Sequence, residues 1–169
     1  MPNATCLEIA RRQIEFARGY SRSLIEDIDD CHWFTQPQPG ASHIAWQVGH
    51  LAVAEYGLGL FRMRGRREAD TNLMPSSFRK QFAKGSVPDP DPARNPNPAQ
   101  IREVLRRVHE QVLAELPGYT QTELDIPCEE PHALFATKLG ALFCCSAHEI
   151  MHAGQIGLLR RLLGKPPLR

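Results

Sequence analysis

Five prolines crowd into residues 87–98, VPDPDPARNPNP, and no chain can carry that stretch through a helix interior or a central strand. On both sides of it the apolar residues recur at helical spacing, with no sustained two-residue alternation anywhere. Helices joined by one long irregular connection, residues 65–97, are therefore expected. Within it SSFRKQF, residues 76–82, is expected to form a short helical piece. A connection this long is unusual in a compact domain. It suffices to return the chain along the bundle, so the second and third helices can run parallel.

Four helical stretches follow from periodicity and end signals. The first runs from about Thr5 to Ile28, opened by Thr5 with Glu8 in a capping-box pattern. Its apolar side carries Cys6, Ala10, Ala17, Leu24 and Ile28, flanked by Leu7 and Ile14, and Arg11, Arg12, Glu15, Arg18 and Arg22 lie mostly elsewhere. The second begins at Ser42 as N-cap and reaches about Met63. The third has Asn97 as N-cap and Pro98 at the first helical position, and Pro117-Gly118 ends it. The fourth runs from about His132 to Leu163, with Gly164, Pro166 and Pro167 as the stop. The expected fold is all-α, a single four-helix-bundle domain over residues 1–169.

Twenty Lys and Arg against nineteen Asp and Glu give a formal net charge of +1, without the basic excess that binding to nucleic acid requires. No apolar run approaches membrane-spanning length, and the N-terminus lacks a signal-peptide core. Cys6, Cys31, Cys128, Cys144 and Cys145 are an odd set without framework spacing, expected as reduced thiols in a cytoplasmic protein.

Chemistry concentrates in residues 144–155, CCSAHEIMHAGQ. His148 and His152 are one helical turn apart on an otherwise apolar face, so two imidazoles project side by side toward the core and can reach one ion. His50 also lies on an inward face. If the second and fourth helices are antiparallel neighbours, its ring joins the pair in one layer. Three neutral imidazoles would leave an ion with open positions, the arrangement of a catalytic rather than a closed site.

HEIMH also fits H-E-x-x-H, in which Glu149 would be the general base of a metalloprotease. The rest of that pattern is missing. Gln155 stands where the longer motif needs glycine, Leu158 stands where it needs a third histidine, and no acidic residue follows His152.

WQVGHLAVAE, residues 46–55, and HEIMHAGQIGLLRRLLG, residues 148–164, resemble the DinB-like superfamily of metal-binding four-helix bundles, whose members include thiol-dependent transferases and isomerases. The resemblance implies an up-down-down-up topology with a long crossover, metal ligands at His50, His148 and His152, zinc or nickel as the ion, and frequent homodimers. It implies no single reaction.

The neighbouring residues leave alternatives open. Glu149 is either a base for water attack or a hydrogen-bond partner away from the ion. Gln47 and Gln155 either line the pocket or make interhelix bonds. Cys144 is a fourth ligand or a packing residue, and His43 and His109 read as boundary histidines. Arg160-Arg161 reads as solvated surface. The expected function is a metal-dependent enzyme of the thiol S-transferase type acting on a small molecule, with a low-molecular-weight thiol as cosubstrate. A hydrolase using Glu149 and a non-enzymatic metal module are the alternatives. Apolar residues around the fourth helix, Leu142, Phe143, Ile150 and Leu158, lead to the expectation of a homodimer.

Overall fold

The computed structural model describes residues 5–168. Its four long helices are α1, Cys6–Ile25; α2, Ile44–Glu55, which continues through a π-helical turn, Tyr56–Phe61, to Arg62–Arg64; α5, Pro98–Glu115; and α7, Lys138–Leu162. Between α2 and α5 the crossover carries two short helices, α3 at Asp70–Leu73 and α4 at Ser76–Gln81. The short α6, Gln121–Leu124, precedes an antiparallel hairpin, β1 at Pro127–His132 and β2 at Phe135–Thr137. No helix among the described residues is long and apolar enough to cross a membrane.

The side-chain pairings fix the directions. Arg18 meets Glu149, and further along Arg160 meets the Leu24 carbonyl and Asp27, so α1 and α7 run parallel. Glu55 meets His109 and Arg64 meets Glu115, so α2 and α5 run parallel. Gln47 meets Gln155 while His50 meets His148, so α2 and α7 are antiparallel. That order is up-down-down-up, with the crossover making the second and third long helices parallel.

Local chemistry sets the helix ends. Thr5 accepts from the Glu8 amide, and Asn97 and Gln100 form a reciprocal capping box with Pro98 at the first position. At the end of α7, Gly164 takes φ 79°, and the Lys165 and Gly164 amides donate back to the Arg160 and Arg161 carbonyls, closing a Schellman motif.

Several expectations are corrected. The N-cap of α2 is His43, whose Nδ1 accepts from the Trp46 amide at 3.1 Å; Ser42 instead accepts from Gln47. The last helix starts at Lys138 rather than His132, because the preceding residues pair as the hairpin, with Thr137 as N-cap. That hairpin is short and lacks polar–apolar alternation, so no periodicity announces it. Arg18 and Arg160 are buried, each neutralised by carboxylates of other elements. Leu142 is fully buried in the core, whereas Ile150 and Leu158 remain on the outside.

Candidate metal centre

The layer where α2 crosses α7 carries His50, His148 and His152, and one potential ligand atom from each lies within 4.8 Å of the others. Among the described residues no carboxylate or thiol joins that group. The His148 and His152 ring centroids are 4.5 Å apart, as one-turn spacing requires, and His50 from the antiparallel helix approaches both, at 5.3 and 4.8 Å.

Two of the rings are held by neutral oxygen acceptors. His50 Nδ1 donates to the Phe82 carbonyl at 2.8 Å, and His152 Nδ1 donates to Gln47 Oε1 at 2.6 Å. A ring that donates from Nδ1 presents an unprotonated Nε2, the form a metal needs. Gln47 is fixed in turn, its amide donating to Gln155 Oε1 at 2.8 Å and to Ser42 Oγ at 2.9 Å. Gln47 and Gln155 thus orient a histidine. Trp46 stacks on His50 at 4.8 Å with 5° between planes, and its indole N–H donates to Ser86.

The Phe82 carbonyl comes from the crossover, and it arrives because residue 49 has no side chain. A Cβ at Gly49 would stand 2.5 Å from the buried Phe82 ring, so the crossover packs directly on the α2 backbone at the residue before His50. Neither Phe82 nor Ser86 was indicated by the sequence, since a main-chain carbonyl and a lone serine carry no pattern. The glycine beside His50 was the one visible signal.

Electrostatics keep the rings neutral. Burial lowers the pKa of His148 to about 4, helped by His50 and the Lys84 ammonium, and that of His152 to about 4, helped by His148 and His50. Burial also lowers that of His50, partly opposed by its bond to Phe82.

Glu149 is placed elsewhere. It projects about 100° round the helix from His148, where Arg18 holds both its carboxylate oxygens, at 2.8 and 3.0 Å. Cys144 is half-buried and Cys145 buried, and burial pushes both thiols up. His43 caps α2 and reaches the Asp89 carbonyl, and His109 pairs with Glu55. A cavity of about 560 Å³ opens between α1 and α5, lined by His109 but by none of His50, His148 and His152. Its Arg102 and Arg106 are engaged by Asp30 and by Glu103 and Glu110, and it holds no comparable ligand set.

Residues 13–156 match the family model of the DinB superfamily. The chain belongs to the DinB superfamily. Among solved structures, this DinB-superfamily chain is similar to YfiT from Bacillus subtilis, a probable metal-dependent hydrolase with an unusual four-helix bundle topology. The two share 16% identity over 98% of this chain and 93% of that one, with a TM-score of 0.65, a likeness of fold. No curated protein matches the sequence.

The lowered histidine pKa values make acid destabilising. Between about 4 and the ordinary value of 6.5, the unfolded chain binds protons at His148 and His152 that the folded chain refuses, so stability rises with pH in that window. Metal-free protein should show a falling urea midpoint as pH drops from 6.5 to 4. His148→Gln/His152→Gln should show a shallower fall, and equal slopes would contradict the assignment.

Proposed function

We propose that this DinB-superfamily protein is a divalent-metal enzyme of the thiol S-transferase type acting on a small molecule, with His50, His148 and His152 as its protein ligands. Zinc and nickel both suit three imidazole nitrogens. A bound ion would supply Lewis acidity that lowers the pKa of a coordinated thiol or water. The five unpaired cysteines accord with a reducing, cytoplasmic setting.

The observation that carries the reading is the absence, among the described residues, of a carboxylate in the histidine group, because Arg18 holds Glu149. Without a side-chain base, a nucleophile already close to ionisation is favoured. A thiol, at about 8.5, ionises far more readily than bulk water and needs a far smaller shift. His50 and His152, locked by Phe82 and Gln47, would present their Nε2 atoms without rearrangement, and the wall of Trp46 would shield one side from water. Hydrolysis is the second reading, supported by the description of YfiT.

Glu149→Gln separates the two. Zinc- and nickel-loaded protein is offered several thiols with a generic electrophile, and a hydrolysable ester in parallel. Thiol transfer that is metal-dependent and changes by less than about threefold in the variant supports the proposal. A loss of roughly 10²–10⁴-fold, the scale of a missing acid–base group, in a variant that keeps its metal content and its circular dichroism would restore Glu149 as a base; a loss accompanied by lost metal would instead report the broken Arg18–Glu149 bond. Ester turnover with no thiol transfer would favour the hydrolase.

We also propose a homodimer through the outer side of α7. Ile150, Met151, Leu158 and Leu162 are 40–58% exposed within a sector of about 120°, with Ala147 and Gly154 exposed between them. A self-complementary pairing of that face is the common closed arrangement of two copies. Light scattering at tens of micromolar should give twice 19.0 kDa, and Leu158→Glu should return it to 19.0 kDa. A wild-type monomer would overturn the dimer.

A further inference from the structure

The three candidate ligands are neutral, and the groups that hold them are neutral too. Metal-binding histidines are commonly backed by a carboxylate, which cancels part of the ion's charge. Here a peptide carbonyl of Phe82 backs His50 and the side-chain amide of Gln47 backs His152. The nearby carboxylates on the same two helices, Glu55 and Glu149, are both bound by Arg18. A divalent ion at the three histidines would keep its full double charge.

Lys84 adds to it. Its backbone is pinned at the rim from both sides. Two residues before it, Phe82 is bonded to His50; two residues after it, Ser86 is bonded to Trp46, which stacks on His50. The Lys84 side chain is exposed, and with anchors two residues away on either side its backbone lies beside the layer of the three histidines, within a lysine side chain's length of them. Among the described residues it has no ion-pair partner. Among the described residues no carboxylate joins the histidine group.

We infer that the site selects small anions: molecules that bring an anionic donor to the ion and a second negative group to the Lys84 ammonium. The inference rests on the three-histidine metal reading and names the charge class of its ligand. Lys84 acts as a specificity residue at the rim, where it would attract anions and repel cations while leaving the ion's own coordination untouched.

Cobalt-substituted full-length protein provides the test, read from the visible spectrum of the ion. Three probes share a thiol and differ in charge: 3-mercaptopropionate, 2-mercaptoethanol and 2-aminoethanethiol. With affinities expressed per thiolate present, the expected order is anion, neutral, cation, spanning roughly tenfold or more. Lys84→Met and Lys84→Gln should compress that span to within about threefold, with cobalt stoichiometry and the thiol-free spectrum unchanged. Equal affinities for the three probes, or an order that survives both substitutions undiminished, would overturn the inference while leaving the metal reading standing. Failure to form a histidine-bound cobalt spectrum would overturn the metal reading and this inference with it.

Discussion

The structure depends on one guanidinium. Arg18 lies inside the bundle, 3% exposed, and binds Glu149 from α7, Glu55 from α2 and the Leu105 carbonyl from α5; Glu55 in turn holds His109. Burial works against the charge on Arg18, yet the two carboxylates more than offset it and raise its pKa. Removing one partner from such a buried cluster costs on the order of 3–5 kcal/mol, because an uncompensated charge stays behind. The cluster therefore tolerates little sliding of one helix against another.

That constraint reaches the histidines directly. Glu55 is five residues beyond His50 on α2, and Glu149 is the residue after His148 on α7. Fixing both to one arginine fixes the relative register of the two helices, and with it the layer in which the three rings meet. The same bond withdraws Glu149 from the site. One interaction thus brings the three histidines together and removes the only acidic side chain of HEIMH, which accounts for the absence of a carboxylate from the histidine group.

Much of this was legible in the residues. Helical periodicity, the Asn97-Pro98 start, the Gly164 stop and the proline segment define four helices and a crossover, and the one-turn spacing of His148 and His152 defines half of the metal face. What stayed hidden has physical reasons. Glu149 sits beside a ligand in sequence but 100° away in space, and only the position of Arg18 on another helix decides its role. Arg18 and Arg160 read as surface, since a lone arginine on a helix gives no sign of a carboxylate waiting across the core. The Phe82 carbonyl belongs to a backbone whose path is set by contact with Gly49, and backbone groups leave no trace in composition or spacing.

Metal content is the most direct measure of whether three histidines from two antiparallel helices form one centre. Protein purified without an affinity tag or added metal should carry about one zinc or nickel ion per chain by elemental analysis. The ion should be lost from His148→Ala/His152→Ala and weakly retained by His50→Ala, with all variants still helical by circular dichroism. Full metal content in the folded double variant would contradict the account, and so would tight, unchanged binding after loss of His50.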